Sequence, residues 1–161
     1  ECDISDLLVV ILDRPRHAEL IAKTREAGAR IQLLQDGDVA GIITAAMPEM
    51  GVAMYIGTGG APEGVLAAAA LRCIGGQMQG RLVFSDDSQI KRALHMGITD
   101  PKKIYTMAEM AGGDVIFAAT GVTDGALLNG IVVDGETIIT HTMVMCSRTK
   151  TLRTIHTNHT L

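Results

Sequence analysis

The 161-residue chain has no tryptophan and only two phenylalanines and two tyrosines, which leaves almost no aromatic surface for nucleic-acid bases to stack on. Its 14 Lys and Arg stand against 18 Asp and Glu, a formal net charge of −4, so there is no basic stripe either. Both absences argue against a nucleic-acid partner. Cys2, Cys73 and Cys146 are odd in number and show no C-x-x-C spacing, which argues against a disulfide framework or a cysteine zinc site. A reducing cytoplasm is the expected compartment. No apolar run approaches the roughly 18 to 20 residues that cross a bilayer, and no charged segment, apolar stretch and cleavage site stand in succession at the start. No membrane association is expected. What is present is a 47% hydrophobic composition, enough for one domain with a real core.

One rhythm repeats along the chain. The apolar run "DLLVVIL" (6–12) is followed by "PRHAELIAKTREAG" (15–28), whose spacing predicts a helix with Leu20, Ile21 and Ala27 near one face and Gly28 as its stop. "ARIQLL" (29–34) with "DGDVAGIITAAM" (36–47), and "GVAMYI" (51–56) with "PEGVLAAAALRCIGG" (62–76), predict two more strand–helix units. Near-continuous apolar strands alternating with helices indicate an α/β fold around a largely parallel sheet. A fourth strand, "DVIFAATG" (114–121), ends in a glycine turn. Beyond it the pattern changes to β segments with turns near Asp134-Gly135 and Thr149-Lys150, so the sheet is expected to be mixed, with an antiparallel portion at the end.

In open α/β sheets ligands bind beyond the carboxyl ends of the strands. Four polar loops fall there: "DRPRH" (13–17), "QDGDV" (35–39), "GTGGAPEG" (57–64) and "TGVTDG" (120–125). The third is not a dinucleotide fingerprint, because Pro62 stands where G-x-G-x-x-G needs its last glycine. Pro62 suits the first position of a helix, and Glu63 then sits in the first turn near the positive end of the dipole. Glu63 either complements that dipole or projects into the crevice toward a substrate or metal. Arg14 and Arg16 flank Pro15 and either grip a phosphate through forked hydrogen bonds or form a solvated helix start. Asp36 and Asp38, around Gly37, suit sugar hydroxyls or a hydrated Mg²⁺, and one of them suits a helix cap. "TGVTDG" offers backbone N–H groups to a phosphate or is a plain turn.

The remaining polar residues have plainer readings. His141, His156 and His159 form no i, i+4 zinc pair, and His156 and His159 would face opposite sides of a strand. They read as surface or packing residues. The nine methionines read as adaptable core filling. Arg148, Lys150 and Arg153 make the last turn basic, as in a solvated hairpin.

Taken in order and spacing, "LDRPRH" (12–17), "DGDVAG" (36–41), "GTGGAPEGVLAAAALRCIGGQMQGRL" (57–82) and "DVIFAATGVTDG" (114–125) resemble the C-terminal half of class II fructose-1,6-bisphosphatases, over nearly the whole chain. The resemblance implies the sugar-phosphatase fold shared with inositol monophosphatases, a homo-oligomer (dimer or tetramer), and Mg²⁺- or Mn²⁺-dependent hydrolysis of the 1-phosphate of fructose 1,6-bisphosphate, in gluconeogenesis or the Calvin cycle. Some relatives also take sedoheptulose 1,7-bisphosphate. By motif position it implies substrate contacts at Arg14, Pro15, Arg16, Asp36, Gly37, Asp38 and Gly60, and a metal ligand at Glu63.

The departures from the family pattern also carry expectations. Residues 1–161 correspond to a C-terminal α/β substrate-binding domain. The N-terminal half, which in the family carries most metal-binding carboxylates and the Asp-Pro-x-Glu-Gly-Thr-like motif that activates water, has no counterpart here. The catalytic residues are therefore expected outside these 161 residues, which alone should lack substantial activity. The passage from "GRLVF" (80–84) to "SDDSQIKRALHMGI" (85–98) is shorter than is usual in the family, which implies a missing loop between 84 and 85. Two other functions fit the same residues: a non-catalytic sugar-phosphate-binding module, and a related phosphatase acting on inositol or nucleotide phosphates.

Overall fold

The computed structural model describes residues 2–35 and 37–160, with the side chain of Asp38 outside that description. The first strand, β1 (Leu8–Leu12), is the centre of a parallel sheet, flanked by β2 (Arg30–Leu34) and β3 (Met54–Tyr55). Val9, Val10, Ile11 and Leu12 are all buried, as a strand covered on both faces requires. β2 lies at the sheet edge and is largely exposed, so only the central strand meets the full-burial expectation.

Helices cover both faces. Pro15–His17 form a single 3-10 turn, and α1 (Ala18–Glu26) follows, ending before Gly28 at φ 89°. Its Ile21 packs with Val9 and Ile11, whereas Ala27, expected on the same face, is exposed because the helix stops one residue short of it. α2 (Asp38–Ala45) takes the opposite face. Gly41 permits this approach: a methyl there would meet Leu34 and the Tyr55 ring. α3 (Ala61–Ile74) begins at Ala61, one residue earlier than expected, so Pro62 occupies its second position and Gly75, at φ 81°, stops it.

The fourth strand, β6 (Ile116–Thr120), is where the antiparallel portion begins, one strand earlier than the change of pattern suggests. It pairs with β8 (Thr137–Cys146), which is also bordered by β7 (Val132–Asp134) and β9 (Thr151–Thr160). No crossover helix follows β6; the chain instead closes a tight loop and returns along a hairpin, which enforces antiparallel pairing. The expected turns are present, with Gly135 at φ 58° and Lys150 at φ 52°. Lys150 Nζ also donates to the Arg72 carbonyl, 3.0 Å away in the last turn of α3. α2 and α3 thus lie between the two sheets, and Ile43, Ala70 and Cys73 pack against Met143 and Met145.

Between these parts stand elements with weaker sequence signals. β4 (Gln79–Arg81) pairs with β5 (Ile104–Thr106), with α4 (Asp87–His95) between them and α5 (Met107–Met110) after. No helix among the described residues is long and apolar enough to cross a membrane.

Candidate sugar-phosphate cleft

The loops after β1 and β3 are tied together by a histidine. The Thr58 N–H donates to His17 Nε2 at 2.8 Å, so that nitrogen carries the lone pair, and Nδ1–H donates to the Leu12 carbonyl at 2.9 Å. Both ring nitrogens are satisfied and the side chain is only 2% exposed. His17 therefore fixes the "GTGG" loop relative to the end of β1. Arg16 adds a second tie, its Nε–H donating to the Thr58 carbonyl at 2.6 Å. That bond orients the guanidinium and leaves four N–H groups on its terminal nitrogens for an anion.

These ties bring the expected residues into one place. Arg16, Gly37, Gly60 and Glu63, with Val39, Ala40 and Gly59, line a cleft of about 320 Å³. Gly37 supplies the sharp entry to α2, at φ 86° in the left-handed region that glycine tolerates. Gly60 precedes the first residue of α3, and Glu63 lies in that helix's first turn. The Glu63 carboxylate folds back over Gly60, since a methyl on Gly60 would run into it. Glu63 thus complements the dipole and borders the cleft at once.

Other expected residues are placed differently. Pro15 opens the 3-10 turn, while Arg14 does not line the cleft; its Nη1 lies 3.5 Å from the Asp13 carbonyl. Asp36 lies outside the described residues, and of Asp38 only the backbone, at the start of α2, is described. The "TGVTDG" loop is a closed turn: Gly121 N–H donates to His141, Gly125 N–H to Leu128, and Gly130 N–H to Asp124 Oδ1 at 2.9 Å. Residues 123–126 border a neighbouring cleft of about 400 Å³, mostly apolar, which also touches Gly37 and Ala40. His17 and Thr58 were the members that sequence reasoning missed. The only available signal was a histidine beside the Arg-Pro-Arg turn, and its partner lies 41 residues away.

Among the described residues no three His, Cys, Asp or Glu side chains gather as a metal-ligand set. Glu63 is the one carboxylate described in the cleft, fewer than a dedicated Mg²⁺ cage needs. Chemically, the cleft offers a guanidinium held by its Nε–H, two glycines that allow close approach and a carboxylate at a helix start, groups that suit a small polar anion.

The chain is thus an α/β protein with a cleft at the carboxyl ends of its parallel strands, the place where open α/β sheets bind ligands. The sequence model of the family described as "Bacterial fructose-1,6-bisphosphatase, glpX-encoded" matches residues 1–159, and the chain belongs to that family. A Synechococcus protein (strain JA-3-3Ab) named "D-fructose 1,6-bisphosphatase class 2/sedoheptulose 1,7-bisphosphatase" is 42% identical over 170 residues, covering 98% of this chain and 49% of the relative. Proteins of the same name from Crocosphaera subtropica and Trichodesmium erythraeum are 41% and 40% identical, covering 99% and 97% of this chain and 50% and 49% of theirs. The chain spans about half the length of the curated relatives it matches.

Proposed function

We propose that this chain supplies the substrate grip of a phosphoric monoester hydrolase that converts fructose 1,6-bisphosphate into fructose 6-phosphate and phosphate, with sedoheptulose 1,7-bisphosphate as a second substrate. The observation that carries this is the convergence of Arg16, Gly37, Gly60 and Glu63 on one cleft, from loops far apart in sequence. Arg16 neutralises and orients a phosphate. Gly37 and Gly60 let the substrate approach the backbone, and Arg14 contributes positive charge from the neighbouring loop. Asp36 and Asp38 orient sugar hydroxyls. Glu63 is one ligand of a Mg²⁺ or Mn²⁺ whose remaining carboxylates come from outside the described residues; such a cation, when bound, polarises phosphoryl oxygens and lowers the pKa of an attacking water. The whole protein is a cytoplasmic homo-oligomer, dimer or tetramer.

A second reading, a sugar-phosphate-binding module without catalysis, is favoured by one observation: a single described carboxylate in the cleft. Phosphate release by the complete protein from fructose 1,6-bisphosphate, sedoheptulose 1,7-bisphosphate and inositol monophosphate, with Mn²⁺, with Mg²⁺ and after chelation, separates the readings. The hydrolase requires metal-dependent release from the bisphosphates. Saturable bisphosphate binding without release would establish the module instead, and release from inositol monophosphate alone would reassign the substrate.

A further inference from the structure

The antiparallel register sets His141 of β8 directly opposite His156 of β9. Directly opposed side chains on neighbouring strands have Cβ atoms about 4.5–5.5 Å apart, close enough for two imidazoles to meet. They do meet: the ring centroids are 3.8 Å apart with the planes tilted by 48°, nearer than the roughly 4.5–7 Å usual for paired aromatic rings. The other strand histidine behaves differently. His159 points to the opposite face of β9, where its Nε2 meets Thr140 Oγ1 at 3.3 Å. Neither His141 nor His156 has a hydrogen-bond partner among the described residues, and neither leaves a buried polar atom without a partner. His156 is exposed and His141 half-buried, so the paired rings are open to solvent.

We propose that His141 and His156 form a two-imidazole site for a divalent transition cation of the Zn²⁺, Ni²⁺ or Cu²⁺ kind, with water completing its coordination. Imidazole nitrogens bind such ions at about 2.0–2.1 Å, which needs two ring nitrogens roughly 3 Å apart, and rings whose centroids lie 3.8 Å apart hold their nitrogens in that neighbourhood. Selectivity follows from the surroundings. The neighbouring pairs on this face, Met143 with Thr154 and Ile139 with Asn158, offer no carboxylate, so Mg²⁺, which prefers oxygen ligands, has little to hold. Mn²⁺ is the weakest of the first-row series at imidazole sites, so the ions proposed for the Glu63 cleft largely leave this pair alone. The two sites thus differ in the kind of metal they take.

Calorimetric titration of the protein with Ni²⁺, together with the electron paramagnetic resonance spectrum of bound Cu²⁺, tests the proposal without measuring turnover. The expected result is one equivalent bound, with nitrogen hyperfine structure on Cu²⁺, and affinity lowered roughly tenfold or more in His156→Gln, which replaces an exposed side chain and keeps the fold. His159→Gln should bind as the unaltered protein does, and excess Mg²⁺ should not displace Ni²⁺ from the pair. Undiminished Ni²⁺ affinity in His156→Gln, or loss of binding in His159→Gln with His156→Gln unaffected, would overturn it.

Discussion

Gly60 and Gly121 would respond to an added methyl in different ways, because of what each new atom would meet. At Gly60 the obstacle is the far end of the flexible Glu63 side chain, which can swing aside. Gly60→Ala should therefore leave thermal stability nearly unchanged while displacing the carboxylate, and turnover of the complete protein should fall. At Gly121 the obstacle is the Asn129 backbone carbonyl, which cannot move without opening the loop. Gly121→Ala should cost about 1–3 kcal/mol of stability, measurable as a lower denaturant midpoint. His17→Ala is a third case, because it removes the acceptor of the Thr58 N–H and one of the two donors to the Leu12 carbonyl, which keeps its bond from the Arg14 N–H. A loss of about 1–3 kcal/mol in total is expected, with weaker substrate binding as the "GTGG" loop loosens. At this scale the placement of Arg16, Gly37 and Glu63 on polar loops at helix starts was legible in the sequence, since charge and glycine there have local causes, whereas Gly60 was singled out by the family resemblance alone. His17 was not legible, because its role depends on two main-chain groups that only the fold brings to it.

The long elements were legible, while the middle of the chain, with β4 and β5, was not. β1 and α3 announce themselves by a continuous apolar run and by a Pro-Glu start with a glycine stop, and the hairpin turns by their residues. β4 and β5 have three residues each, too few for any periodicity to register, whereas the short β3 and β7 fall within apolar runs read as strands. The partner of β6 was also hidden, since an apolar strand reads alike whether its neighbour runs parallel or antiparallel. One signal was available and passed over: Thr106-x-x-Glu109, a capping box at the start of α5. The Glu109 carboxylate has its pKa lowered to about 2, chiefly by its hydrogen bond with Lys103, then by the Thr106 N–H and hydroxyl. A depressed folded pKa stabilises the protein above the unfolded value and loses that effect as pH falls from about 4.5 toward 2. Glu109→Gln should lower the melting temperature at pH 6 and have little effect near pH 2; an equal decrease at both pH values would contradict this.

The molecule as a whole exposes 10600 Å² at a mass of 17.0 kDa, whereas a compact monomer of that mass exposes about 7,700 Å². Part of the surplus lies on the side of the antiparallel sheet away from α3, where Ile116, Val133 and Ile155 are 76%, 68% and 42% exposed. A sample of these 161 residues alone should therefore bind an apolar dye and self-associate, which fluorescence and sedimentation would show. It should also release no phosphate from fructose 1,6-bisphosphate, because the described residues supply one carboxylate to the cleft. A dye-free, monomeric and active sample would contradict both expectations. Overall composition and the strand–helix rhythm were enough to read the class of fold, but surface left without a covering layer has no sequence signature.

The cleft itself is tested most directly by Mn²⁺-dependent phosphate release from fructose 1,6-bisphosphate, measured for the complete protein and its Glu63→Gln variant side by side. Loss of release by about a hundredfold or more, with the melting temperature of the metal-free protein unchanged, is the expected result, since a catalytic cation would lose a ligand while the fold lost nothing. Undiminished metal-dependent release by Glu63→Gln would show that the chemistry lies elsewhere.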